Sequence, residues 1–272
     1  MIAPFAACLV LTGMHAYLGL HVIERQVIFV DLALAQIAAL GATVAYLFGF
    51  GLHSPGSYFT SLIFALTGAV ILTFTRSKKE RVPHEALIGI VYVVSAAASI
   101  LVLSRSPEGG EELKSLLVGH LLFVNWGEII KVGLIYGIIG IVHWVFRRRF
   151  LLISQAPLTA YQEGLHVRFW DFIFYCTFAL VVTSSVEIAG VLLVFAFLVV
   201  PAVSGMLAAD SIRGRLAIGW ISGVLTSVFG VTLSYYGDLP TGATVVCTYL
   251  APLLACAIIG RAARARVDGS AA

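Results

Sequence analysis

The sequence predicts an all-α, polytopic transmembrane helical bundle of about nine spans plus a short re-entrant helix. Three observations carry this. The 272 residues are 60% hydrophobic and only 11% charged, against about 25% charged in an ordinary soluble domain. Apolar runs of the ~20 residues that a membrane helix needs recur along the whole chain. Lys and Arg gather in short loops between those runs, as orientation signals do. Nearly all the mass lies in or beside a bilayer, so residues 1–272 are expected to form a single transmembrane domain. A formal charge of +3, concentrated in a few short basic loops, argues against a nucleic-acid partner.

The expected spans are Ile2–Ile23, Val27–Phe50, Tyr58–Thr75, Ala86–Ser104, Glu128–Phe146, Phe172–Ile188, Val191–Ala209, Leu216–Tyr236 and Thr241–Ile259. The first lacks a basic stretch before its apolar run, so it reads as a span and not a signal peptide. Counting spans puts Glu24–Arg25, Arg76–His84, Arg147–Arg149, Asp210–Arg215 and Arg261–Arg266 on one side. The positive-inside rule makes that side cytoplasmic, with the N-terminus outside and the C-terminus inside. Lys114–Asn125 is apolar but too short to cross. A run of that length suits a re-entrant or interfacial segment. If it crossed, the topology after it would invert against the basic-loop pattern. The longest cytoplasmic loop is Arg147–Asp171. Its middle, Pro157–Gly164, has Pro and Gly where a short helix starts and stops. That loop is either a docking element or a linker.

Few residues carry chemistry. Asp31 is an acid about one turn inside its span, which is costly unless it faces a cavity or a partner. Gln36 follows, among Ala33, Ala35, Ala38, Ala39, Gly41 and Ala42; small residues let helices approach closely. This reads as a helix with a polar stripe aimed inward. Five residues at ~100° each set Asp31 and Gln36 about 140° apart. The bland alternative pairs Asp31 with Arg25 or a Lys near the interface, and Gln36 with a neighbouring helix. Glu187, at the outer end of its span, either snorkels or draws cations to a vestibule. Asp238 precedes Pro240 and Gly242, where an Asp more often caps the next helix than binds a ligand. His15 and His120 sit at membrane depth and are the histidines best placed for a pathway. No HxxxH or HExxH spacing is present, so no zinc motif is visible. Cys8, Cys176, Cys247 and Cys256 form no CxxC pair and read as small buried hydrophobes. Pro201, followed by Ser204 and Gly205, marks a kink. Gly219 and Gly223 form a GxxxG pair, a weak sign of a close helix contact. There is no Walker A sequence, no GxSxG and no paired carboxylates, so the chain is not read as an enzyme. Any active transport would draw on a gradient or on another subunit.

Six blocks, in order, resemble the permease subunits of metal-ion ABC importers, the family that takes up zinc, manganese and iron. They are Gly19–Gly41, Ala86–Ala97, Leu116–Val124, Ala160–Val167, Glu187–Leu207 and Leu233–Val246. The resemblance implies a permease domain in the bacterial inner membrane that acts as a dimer of this chain. It implies two cytoplasmic ATP-binding subunits and an extracytoplasmic metal-binding protein. The transported divalent ion, Zn²⁺ or Mn²⁺ and also Fe²⁺, is cargo; ATP sits on the partner, and no cofactor is held permanently. Ala160, Tyr161, Gln162, Glu163 and Gly164 become the ATPase-docking stretch. Asp31, Gln36, Glu187, Asp238, His15 and His120 become the expected metal contacts. One departure matters. The family carries an Asp and a His four residues apart on its second helix. Aligned on Gly41, those places fall to Leu32 and Gln36, and Asp31 is one residue early. The rival readings are a gradient-driven secondary transporter with Asp31 as proton carrier, an ABC permease for an iron chelate or cobalamin-like cofactor, and a structural subunit.

Overall fold

The computed structural model describes residues 2–51, 54–75, 82–105 and 109–270. Residues 76–81 of the expected basic loop lie outside the described residues, as do 52–53 and 106–108. The helices are α1 (Ile2–Glu24), α2 (Val30–Leu47), α3 (Pro55–Thr75), α4 (His84–Leu103), α5 (Gly109–Val118), α6 (Trp126–Val145), α7 (Arg147–Gln155), α8 (Pro157–Gln162), α9 (Val167–Ala208), α10 (Ile212–Gly237), α11 (Thr241–Thr248) and α12 (Leu250–Ser270). A single 3₁₀ turn, Leu121–Phe123, follows α5. Among the described residues there is no strand, and eight helical stretches are long and apolar enough to cross a membrane.

α9 is two spans folded back on each other. In one straight helix, residues 171 and 205 would stand about 51 Å apart, at 1.5 Å per residue. Here the adjacent residues Glu24 and Arg25 reach both. Arg25 Nη1 donates to Asp171 Oδ1 at 2.6 Å, and Arg215, whose carbonyl packs on Gly205, donates to Glu24 Oε1 at 2.6 Å. The reversal falls at Gly190, with φ +71° and ψ 164°. A Cβ has no room there, because it would lie 2.4 Å from the Gly119 nitrogen. With α9 counted as two arms, 167–189 and 191–208, the eight candidates give nine crossings. The expected break between Ile188 and Val191 is where the turn lies.

Arg25, Arg149 and Arg215 meet Asp171, Trp170 and Glu24 at one end of the bundle, the basic end. The tip at Gly190 marks the other, the hairpin end. α4 starts at the basic end, where Glu85 accepts from the Phe29 N–H at 3.0 Å. α6 starts at the hairpin end, where Lys131 meets Glu187, and finishes beside Trp170. The segment between them therefore leaves and returns at the hairpin end without crossing. It is pinned to the tip: the His120 N–H donates to the Ile188 carbonyl at 3.1 Å, and Gly119, at φ +71°, packs backbone to backbone on Ala189.

The core is the first arm of α9, with Phe174, Tyr175 and Phe178 fully buried, wrapped by α1, α2 and α3. α4 is the opposite case, with Ile90, Val93, Val94 and Leu101 exposed. Lipid is as apolar as these side chains, so such a face needs no cover in a membrane. α6 begins two residues before the expected Glu128. Asn125 accepts from the Glu128 N–H at 3.0 Å and its own N–H reaches Glu128 Oε2 at 3.3 Å, a reciprocal capping box. Gly219 and Gly223 do not share a partner helix; one meets the Pro201 carbonyl and the other Thr12. Of the four cysteines only Cys8 is buried; Cys247 is exposed, because its stretch of α11 faces outward.

Candidate functional site

A narrow cleft opens at the hairpin end. Its polar wall is Ser57, Tyr58 and Ser61 of α3, Ser115 of α5, and Thr183 and Glu187 of α9; its small-residue wall is Ala38, Ala39 and Ala42 of α2. The two walls can meet because α2 and α3 touch at Gly41, where a Cβ would lie 2.7 Å from Ser61 Cα. The cleft volume is about 40 Å³, little more than the ~30 Å³ share of one water.

Glu187 sits on this cleft and is not free. Its Oε2 accepts from Lys131 Nζ at 3.0 Å, and the same ammonium stands 3.8 Å from the centre of the Tyr58 ring. The Tyr58 hydroxyl is 3.0 Å from Ser184 Oγ. Below it, Ser185 Oγ bridges the Tyr136 hydroxyl and His15 Nε2, the latter at 3.1 Å. His15 Nδ1 lies 2.9 Å from the Leu11 carbonyl. That contact requires a donor, so Nδ1 carries the proton and Nε2 faces the serine. Both ring nitrogens of His15 are engaged, which is a packing role.

Asp31 lies deeper, about 10 Å along α2 from Ala38 at 1.5 Å per residue. It is fully buried, and neither carboxyl oxygen has a hydrogen-bond partner among the described residues. Arg25, the expected bland partner, is committed to Asp171. Gln36 turns the other way, toward α4, with Nε2 3.5 Å from Ser99 Oγ. This is the 140° separation that helix geometry requires. His120 opens the 3₁₀ turn, its N–H on the Ile188 carbonyl, and does not line the cleft. Asp238 is exposed and closes α10 in a left-handed conformation, φ +49°, its N–H on the Ser234 carbonyl. Asp tolerates that conformation, so Asp238 closes the preceding helix and not, as expected, the next one, whose N-cap is Pro240. Of the six expected metal contacts, only Glu187 lines the cleft. Among the described residues no three His, Cys, Asp or Glu side chains converge on one point.

A second polar cluster, at the basic end, was not legible in the sequence. Ser154 of α7 accepts from Arg25 Nε at 2.9 Å and meets His21 Nδ1 at 2.8 Å. Arg25 also lies 4.0 Å over the Phe174 ring. His143 Nε2 is 2.9 Å from Thr177 Oγ1, and its ring stacks on Phe150 at 4.3 Å. The cluster ties α7 to α1, α6 and the first arm of α9. Each charged member was visible as a lone charge at a span end, but nothing in a single sequence pairs residues 146 positions apart. Lys131 was detectable as a cation inside an expected span.

Residues 160–164, the expected docking stretch, lie beside α7. Ala160 is fully buried and anchors α8, while Tyr161, Gln162 and Glu163 are exposed. Gly164, at φ +75°, ends the helix, as a glycine past a helix C-terminus does. A groove of about 940 Å³ runs alongside, between Thr73 and Phe74 of α3 and Tyr161, Leu165, Arg168 and Phe172.

The ABC 3 transport family matches residues 1–260. The chain belongs to this family. It is similar to a "Probable iron transport system membrane protein" of Haemophilus influenzae, 26% identical over 234 residues, 86% of this chain and 80% of the relative. It is also similar to "Manganese transport system membrane protein MntC" of Listeria innocua, 25% identical over 233 residues, 84% and 79% of the two chains. The fold matches a solved chain titled "PsaBC from Streptococcus pneumoniae in complex with Fab", with a TM-score of 0.80, 20% identity and coverage of 97% and 94%. As a member of this family, the chain is a multi-pass membrane permease of an ABC transporter, all-α in fold.

Proposed function

We propose that this permease imports a divalent transition-metal ion, Mn²⁺ or Fe²⁺ ahead of Zn²⁺, through the cleft at the hairpin end and past Asp31. Asp31 is the observation that carries the reading. A buried carboxyl with no partner is strongly disfavoured in a membrane unless something arrives to pair it. A passing cation is that partner. Asp31 and Glu187 offer oxygen ligands, which suit Mn²⁺ and Fe²⁺ better than softer ions; Gln36, turned toward α4, is left out of the path. The relatives' names, iron and manganese, support the same choice. A cleft of about 40 Å³ suits a single ion better than a bulky chelate.

The hairpin end faces outward and receives the ion from an extracytoplasmic metal-binding protein. The basic end faces the cytoplasm in the bacterial inner membrane, as the positive-inside rule requires. The N-terminus is then outside and the C-terminus inside. Two copies of the chain pair with two ATP-binding subunits, which seat on residues 160–164 and the adjoining groove. Ser154 supplies the linkage. It joins the docking helices to Arg25 and His21 of the α1–α2 segment, so a push on α8 reaches the helix that carries Asp31. His15, His120 and Asp238 have structural parts in this scheme.

Cellular metal content by elemental mass spectrometry tests it. A deletion strain is expected to lose manganese or iron under limitation. Wild type restores that metal, and Asp31→Ala, expressed at the same level, does not. Unchanged metal content in the deletion strain, or full rescue by Asp31→Ala, would remove the reading.

A further inference from the structure

We infer that Lys131 is a tethered cation plug: its ammonium occupies the Glu187 carboxylate at the mouth of the cleft, and only a divalent ion displaces it. This rests on the proposed reading of the cleft as a cation path. Lys131 stands inside a membrane span, where a cation is tolerated only with partners. It has two. Glu187 Oε2 lies 3.0 Å away and the Tyr58 ring 3.8 Å away, and both residues line the cleft. The ammonium therefore sits where an arriving cation would first find a carboxylate.

The geometry sets a threshold. Glu187 and Lys131 side chains are 21% and 42% exposed, so the pair stands at the edge of the bundle and is not enclosed by protein. A monovalent ion gains from Glu187 no more than the ammonium does, and the ammonium is tethered, at an effective concentration in the millimolar range or above. A divalent ion gains about twice the Coulomb attraction, and this is what lets it compete with the tethered ammonium once its dehydration cost is met. The displaced ammonium keeps the face of Tyr58, an aromatic ring able to hold a cation. Tyr58 is itself fixed by Ser184. Lys131 thus belongs to α6, its carboxylate to α9 and its resting ring to α3, and exchange alters the contacts among three helices at the cleft mouth.

The plain alternative is a strut that merely joins these helices. Mn²⁺ titration of the full chain in lipid nanodiscs, read by loss of the free-ion paramagnetic resonance signal in 150 mM KCl, separates the two. Lys131→Met is expected to bind Mn²⁺ about tenfold tighter than wild type, and Lys131→Arg to bind like wild type. Glu187→Gln and the double variant Lys131→Met/Glu187→Gln should bind at least tenfold more weakly than Lys131→Met alone. If Lys131→Met does not yield folded protein, Lys131→Gln replaces it with the same expectation. A Lys131→Met affinity within twofold of wild type, tightening that persists without Glu187, or no binding by any variant overturns the plug. The uptake reading is judged separately by metal content. Metal import with an unaltered Lys131→Met affinity removes only the plug; Glu187-dependent tightening without metal import removes only the importer.

Discussion

At the scale of single residues, the membrane interior makes every polar group a decision. Arg25 and Asp171 are both buried, 2.6 Å apart, with Phe174 beneath the guanidinium. Removing one member leaves the other buried and unpaired, which costs roughly 3–5 kcal/mol. Asp171→Ala should therefore lower the thermal unfolding midpoint of the purified protein sharply. Replacing both members with apolar residues of similar size should recover most of the loss. A single variant as stable as wild type would mean the pair contributes little. Asp31 poses the reverse case: it has no partner to lose, so Asp31→Asn should leave stability nearly unchanged while import falls. Depth in the membrane was legible for these residues, because it follows from position along an apolar run. Azimuth was not. Asp31 and Gln36 could be placed 140° apart but not assigned neighbours, and Glu187 could not be matched to Lys131, 56 positions away.

At the scale of elements, the most demanding contact is the one between Gly119 and Gly190. Both have φ near +71° and each fills the space a Cβ of the other would need. An alanine at either position meets backbone atoms and adopts a conformation that L-residues disfavour. Gly190→Ala and Gly119→Ala should each abolish recovery of monodisperse protein, whereas Gly133→Ala on α6, with open space around it, should be recovered at wild-type yield. Equal yields from all three would mean the tip tolerates rearrangement. The sequence showed the ends of most spans and the break before Val191, since apolar length and glycine mark both. It did not show α7. The run RRRFLLISQ carries three arginines and reads as loop, yet it forms a helix because Phe150 and Ile153 bury against the bundle. Tertiary packing decided that element, as it did the start of α6 at its Asn125 cap.

At the scale of the whole molecule, the two ends differ in kind. The hairpin end holds a small polar cleft closed by hydroxyls and one ion pair. The basic end holds a wide groove, a short exposed helix and a buried charge network. Between them runs α2, with small residues at the cleft and an unpartnered acid deeper in. In the proposed reading these become a selective outer mouth, a transit group, and an inner face broad enough for a motor subunit. The most direct test is ATP-dependent uptake of radioactive manganese into proteoliposomes that hold the complete transporter, wild type or Asp31→Ala, with the binding protein outside. Wild type should show uptake that requires ATP, and Asp31→Ala a drop of at least tenfold at equal folded protein. Manganese uptake by Asp31→Ala equal to wild type, or uptake driven by a pH gradient without ATP, would contradict the proposed reading.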